Sequence, residues 1–245
     1  MVSMHHRTLH NRVLSVLGPA IVSGDYVPGD VLTLERIEQQ FGVSRTVARE
    51  AVRVLQSMGL VVSRPRTGVT VSAETEWNVF DPQLIRWRMA GHGRDAQLRS
   101  LTELRAAVEP PAAALAAEHA SPQQRSRLAE LGPLMGETGR SGDLEAFLSL
   151  DIEFHRLVLV SSGNEMMAGL CEVIEEVLVG RTVHRLMPPQ PEEKALRFHA
   201  LVASSIVAGD ADVARVAMHS IVTEVSAAVA EPPPRTPDST EHDHG

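Results

Sequence analysis

The chain has 245 residues, of which 43% are hydrophobic and only 3% aromatic, and its formal net charge is −8. That length accommodates one large domain or two smaller ones around a real apolar core. No run of about eighteen apolar residues occurs, which excludes a membrane-spanning helix, and the lone Cys171 excludes a disulfide framework or a cysteine-based zinc site.

The N-terminal MVSMHHRTLHNRVLSV lacks the uninterrupted apolar stretch of a secretory signal and reads as mature cytoplasmic sequence. An amphipathic helix is expected from about Leu9 to Ser23, stopped by Gly24 at a position that suits the left-handed conformation. After the turn chemistry of DYVPGD, Thr33 caps a short helix from Leu34 to Phe41, and Gly42 ends it. Ser44 caps a longer helix from Arg45 to Met58, closed by Gly59. The β-rich runs LVVS and VTVSA, joined by RPRTG, then read as a hairpin.

Beyond residue 72 the strand pattern stops. Residues 73–95 read as a linker and a connecting helix that begins near Leu84. Helical patterns follow over 96–119, 122–138, 143–161, 165–186, 192–208 and 211–230, and these define an all-helical domain over 96–230. The Pro-rich polar tail, 231–245, is expected to be disordered, and its His242 and His244 to be solvated. The fold class is therefore mainly α: three helices and a β-hairpin wing over 1–72, followed by an all-α bundle. No internal repeat occurs.

Charge divides along the same line. Residues 1–72 carry +3 and the remainder −11, so the two parts face different partners. On the helix from Arg45, successive residues step about 100°. Val47, Ala48, Ala51, Val52, Val54, Leu55 and Met58 fall on one arc, and Arg45, Thr46, Arg49, Arg53 and Gln56 on the other. One face is core and the other a row of guanidiniums and hydroxyls. A solvated basic face would show the same row. The tight turn Gly42-Val43-Ser44 and the basic hairpin tip, in this order, favour a winged helix-turn-helix on double-stranded DNA. Ser44, Arg45, Thr46 and Arg49 would then reach phosphates and base edges, with Arg53 behind them and Arg66 and Gly68 at the wing.

Residues 9–72 resemble the winged helix of the GntR superfamily, most closely through VSRTVAREAVRVL, which matches that family's VSRxxVREAxxxL pattern. One departure is clear: the family often has Ser-Glu-Arg where this chain has Thr33-Leu34-Glu35, so a position that is frequently a DNA-contacting Arg is acidic.

In the helical region, polar residues sit where apolar ones belong. Asp151 and His155 lie about 40° apart on a face shared with Leu148, Ile152, Val158 and Leu159. His199 shares a face with Val202 and Ile206. Two accounts stand: a simple Asp–His pair with a hydrogen-bonded core histidine, or a divalent-metal site for Zn, Ni or Mn. Arg105, on a stripe with Leu98, Leu101, Val108 and Ala112, likewise either pairs with Glu109 or holds a ligand carboxylate. His184 reads as an exposed helix residue, with an extra polar group in the cavity as the alternative.

Residues 96–230 resemble the FCD effector domain of FadR-type GntR regulators through LTELRAAVEPPAAALAAEHA, DIEFHRLVLVSSGN and FHALVASSIVAGDADVARVAM. The resemblance implies a homodimer, metal ligation by Asp151, His155 and His199, and an effector carboxylate on Arg105. A further family His falls at Ile221 here, and His219 lies on a nearly opposite face, so the implied ligand set is incomplete. The segment WNVFDPQLIRW is similar to aldonate (galactonate)-responsive members and implies a sugar-acid effector. The whole reads as a cytoplasmic transcriptional regulator, a repressor released or recruited by a small carboxylate. The rival is a metal-dependent enzyme using Asp151, His155 and His199 to activate water, for which no general base at identifiable spacing is found.

Overall fold

The computed structural model describes residues 2–64, 68–184 and 191–230, with side chains from residue 9 to residue 223. The hairpin tip containing Arg66 and the tail 231–245 lie outside the described residues.

The N-terminal part is a winged helix. α1 (Val2–Val22) buries Val13, Leu17 and Ile21, and Gly24 after it adopts φ +86°. α2 (Leu34–Phe41) begins where the Thr33 hydroxyl accepts a hydrogen bond from the Arg36 amide. It ends at Gly42 with φ +61°, where any Cβ would be strained. α3 (Arg45–Ser57) is capped by Ser44, whose hydroxyl accepts from the Val47 amide. β2 (Val61–Arg64) and β3 (Gly68–Val71) form the expected hairpin. The sheet also has a third strand. β1 (Val31–Leu32) pairs antiparallel with β3, giving the order β1-β3-β2. Two residues are too few to show strand periodicity, and DYVPGD in front of them reads only as a turn.

A 3-10 turn (Glu74–Glu76) leads into α4 (Pro82–Ala90), whose N-terminus is capped by Asp81. α4 joins two cores. Leu84 closes the winged-helix core, while Ile85 and Met89 pack with Leu98, Leu101, Val173 and Val177. Against α1, the Trp87 ring lies where a Cβ on Gly18 would stand, so Gly18 permits the contact. Arg86 holds Glu176 through two hydrogen bonds of 2.9 and 2.6 Å, tying α4 to the distal helices.

The remaining helices form a bundle around α5 (Arg94–His119), which contacts α11 (Ala211–Ala230), α7 (Leu144–Ser161), α10 (Glu193–Ala208), α9 (Cys171–Val183) and α4. α6 (Pro122–Ser141) opens with a capping box in which Ser121 and Gln124 satisfy each other's amides. α5 continues through Pro110-Pro111 although each proline removes one amide donor. The helix expected over 165–186 divides into α8 (Glu165–Ala168) and α9 at Gly169-Leu170. Small side chains on α5 (Ala112, Ala113, Ala116, Ala117) bring its backbone close to its neighbours, and Phe154, Leu128 and Met135 fill the space between. This is how a core forms with so few aromatics.

Candidate functional sites

The exposed face of α3 carries Arg45, Thr46, Arg49 and Arg53, with Ser44 exposed at its cap. The three arginines are not equivalent. Arg45 Nη1 lies 2.9 Å from Glu35 and 3.6 Å from Glu38 on α2, and Arg53 lies 2.7 Å from Glu50. Arg49 has no acidic partner among the described residues. The acidic Glu35 thus holds the first arginine of the row, and Arg45 in turn depresses the Glu35 carboxyl, behind the larger effect of a backbone hydrogen bond. Gly68, at the base of the wing, has φ +92°, and an added Cβ would meet Val31 Cγ1 at 3.9 Å.

The second site is a polar cluster sealed inside the bundle. Arg105 and Glu109 on α5, Asp151 and His155 on α7, and His199 on α10 are each at most 5% exposed. One turn of helix separates the members of each pair, and the close packing of α5 with α7 and α10 brings the three helices' contributions together.

Arg105 and Glu109 do form the ion pair that helical spacing allows, with Nε 2.5 Å from Oε1 and Nη2 donating to Oε2 at 3.2 Å. The pair consumes only part of the guanidinium: Arg105 Nη1 is buried with no partner among the described residues. Glu109 also lies 2.7 Å from His155 Nδ1. Burial alone would raise its carboxyl, but Arg105 and His155 outweigh burial and hold it down to about 2.

Asp151 Oδ1 lies 3.1 Å from His199 Nε2 and 3.4 Å from His155 Nε2. Neither contact has hydrogen-bond geometry, and Asp151 Oδ1 and His199 Nε2 are both orphaned and shielded from solvent. The two imidazole rings stand 88° apart with centroids 5.7 Å from each other. The ligating atoms of Asp151, His155 and His199 all fall within 4.8 Å of one another. A simple Asp–His pair would close a hydrogen bond, since an unpaired buried polar atom is costly. Asp151 Oδ1 and His199 Nε2 converging without bonding, with His155 Nε2 beside them and 3.4 Å from Arg105 Nη2, instead fit a divalent ion. The far nitrogens lie beside the partners that ligand histidines use: His199 Nδ1 is 2.8 Å from the Ala195 carbonyl, and His155 Nδ1 is 2.7 Å from Glu109 without closing a hydrogen bond. The two nitrogens and one oxygen suit Zn, Ni or Mn and leave coordination positions free.

Ile221 is buried at 5% exposure, while His219 is exposed, so α11 brings no histidine to the cluster. His184, expected on the surface, is half-buried at the end of α9. Sequence patterns missed two members of this region. Glu109 appeared only as a partner for Arg105, and not as the carboxylate behind His155. Arg181, 9% exposed on α9, is the other: it shares the buried stripe of Ile174, Val177 and Leu178, opposite Glu172, Glu175 and Glu176, and that spacing is the signal that could have found it.

Comparison with known proteins bears on both sites. Residues 9–71 match the family model described as bacterial regulatory proteins, gntR family, and residues 100–224 match the FCD domain. The galactonate operon transcriptional repressor of Escherichia coli K12 is 31% identical over 169 residues, which cover 68% of this chain and 72% of that protein. The uncharacterized HTH-type transcriptional regulator YieP of the same strain is 28% identical over 201 residues, 81% of this chain and 85% of its own. Among solved structures, that of Lar from Listeria monocytogenes aligns with a TM-score of 0.53 at 17% identity, over 90% of this chain and 95% of that one, a likeness of fold.

Proposed function

Because the chain belongs to the GntR family of DNA-binding transcriptional regulators and carries that family's FCD domain, we propose that it is a homodimeric repressor whose hold on its operator is controlled by a small carboxylate, a sugar acid or related hydroxy acid. Two copies of α3 would enter successive major grooves of a short palindrome. Arg49, which is free of acidic partners, would read base edges there, with Ser44, Arg45, Thr46 and Arg53 beside it and Arg66 and Gly68 at the wing.

The observation that carries the effector half is the buried cluster. An otherwise apolar bundle holds an unspent guanidinium N–H on Arg105 beside orphaned atoms of Asp151 and His199. Asp151, His155 and His199 would hold a divalent ion, and that ion would supply a Lewis-acidic point for a carboxylate oxygen and a neighbouring hydroxyl. Arg105 Nη1 would donate to the same carboxylate, held in place by Glu109 from the other side. The kinship to a galactonate operon repressor supports a hydroxy-acid ligand. A hydrolytic role is less well served, because the nearby Glu109 is engaged by Arg105 and His155 and so is not free as a general base.

Coupling between the sites would run through α4, which packs on the winged-helix core at Leu84 and on α9 through Arg86–Glu176. An effector that binds the free and DNA-bound forms unequally shifts the balance between them. Gel retardation on the intergenic DNA beside the protein's own gene, with and without aldonates and a divalent metal, tests the reading. Retardation that the acid alters is expected. No retardation at low salt under any of these conditions sinks it.

A further inference from the structure

The effector cluster contains one charge that the reading above does not use. Arg181, in the last turn of α9, is 91% buried, and its Nε meets no partner among the described residues. α9 packs against α5 and α7, the helices bearing Arg105, Glu109, Asp151 and His155. Arg181 is near enough to Arg105, Asp151 and Glu109 for all three charges to act on it. Burial, with repulsion from Arg105 behind it, brings its guanidinium down to about 10, so it is still a cation at neutral pH.

The charges in the cluster do not balance. Glu109 neutralises Arg105. Asp151 neutralises one of the two charges of a divalent ion, and metal-bound imidazoles are neutral. Arg181 makes no ion pair among the described residues, and Asp151 and Glu109, the acids that act on it, are already matched by the ion and Arg105. The loaded cluster therefore carries two positive charges in excess, in surroundings where an uncompensated charge is expensive. A monocarboxylate removes one of them. An acid with two carboxylates removes both, and the two unspent guanidinium groups, Arg105 Nη1 and Arg181 Nε, give each carboxylate a donor.

We propose that Arg181 is a second anion-holding residue of the effector site, and that the effector is a small dicarboxylate, one end on the metal and Arg105 and the other on Arg181. This rests on the metal-and-carboxylate reading of the same cluster.

The test is calorimetric titration of the full-length, metal-loaded protein with two matched pairs of acids, galactonate against galactarate and 2-hydroxybutyrate against malate. Within each pair the partners differ chiefly by one terminal carboxylate. In at least one pair the diacid should bind about tenfold tighter or better, a gap of about 1.4 kcal/mol. Arg181→Met should erase that preference and leave the monoacid's affinity unchanged, while Arg105→Met should weaken both acids. Metal content is measured for each variant. Metal- and ligand-free Arg181→Met should melt at or above the wild-type temperature, since the change removes an unpaired buried charge. A lower melting temperature would show that Arg181 has a structural partner, and would overturn the inference. Equal affinities within both pairs, or an Arg181→Met that weakens both acids alike, would overturn it while leaving the carboxylate reading in place. If the loaded wild type binds none of the four acids, both readings fall together.

Discussion

His199 Nε2 and Asp151 Oδ1 approach to 3.1 Å in the interior of the bundle without forming a hydrogen bond. They come from different helices, α10 and α7, and neither atom has a hydrogen-bond partner among the described residues. A divalent ion placed between two such atoms would satisfy both.

Stripping metal should therefore cost stability. A ligand present at about a thousand times its dissociation constant adds roughly 4 kcal/mol to folding. For a chain of this size that corresponds to a melting shift on the order of 10 °C. Differential scanning calorimetry of chelator-treated protein, before and after adding Zn, Ni or Mn, should show such a rise for at least one metal. Asp151→Ala and His199→Ala should abolish the response. Identical melting with and without chelator counts against the metal site.

Glu109 should make the metal-free protein sensitive to acid. Its carboxyl ordinarily titrates near 4.5 and is held at about 2 in the fold, because Arg105 and His155 outweigh the cost of burial. A depressed carboxylate stabilises the fold above its ordinary range and loses that contribution as pH falls toward the folded value. Glu109→Gln leaves Arg105 buried without a counter-charge, which costs about 3–5 kcal/mol near neutrality. The stability gap between wild type and variant should narrow as pH drops from about 4.5 to about 2. Denaturant titration across that interval measures it, and a gap that stays constant contradicts the assignment.

Arg49→Ala should weaken operator binding by about 10- to 100-fold, the loss expected for one good guanidinium–base contact. Analytical ultracentrifugation should show the same association state as the wild type, because Arg49 is exposed and touches no other described element through an ion pair. Glu35→Gln is expected to act in the opposite direction. It releases Arg45 from its 2.9 Å bridge and removes an acidic group from the DNA-facing surface, so affinity should rise, most clearly at low salt. If Arg49→Ala changes the association state, α3 does not face DNA.

Gly59→Ala should unfold the winged helix. Gly59 has φ +74°, and an added Cβ would stand 2.2 Å from the Glu76 carbonyl oxygen. The backbone conformation alone costs about 1–2 kcal/mol for a residue with a side chain, and a backbone oxygen cannot step aside as a flexible side chain can. The expected result is a lower melting temperature together with loss of operator binding. A variant that melts with the wild type refutes the close packing of that turn.

The N-terminal helices were legible because their boundaries are written in local chemistry. Thr33 and Ser44 cap, Gly42 and Gly59 stop, and the apolar residues of α3 recur with the helical period. β1 was not legible, because Val31-Leu32 is a strand only through its pairing with Val69 and Thr70. The division of 165–186 into two helices depended on Gly169-Leu170, which apolar periodicity passes over. In the effector site, Asp151, His155, His199 and Arg105 were visible as polar residues on apolar faces. Arg181 stands on an apolar stripe too, with Ile174, Val177 and Leu178, but no acidic partner stands at helical spacing from it, and only the packing of α9 on α5 and α7 sets it near the cluster.

Sequence alone determined the kind of protein: a basic winged helix-turn-helix joined to an acidic helical bundle, with the arginine row and a short set of buried polar residues named. Those properties follow from spacing along the chain, which caps, turns and helical period convert directly into local geometry. Tertiary structure decided how those residues are used. It set Arg45 against Glu35 on α2, left Arg49 without an acidic partner among the described residues, and turned the choice between an Asp–His pair and a three-residue cluster in favour of the cluster. It also placed Arg181, uncompensated, beside the same cluster. The contacts between helices among these outcomes depend on how α2 packs on α3 and how α5, α7, α9 and α10 pack together, which spacing along the chain does not fix.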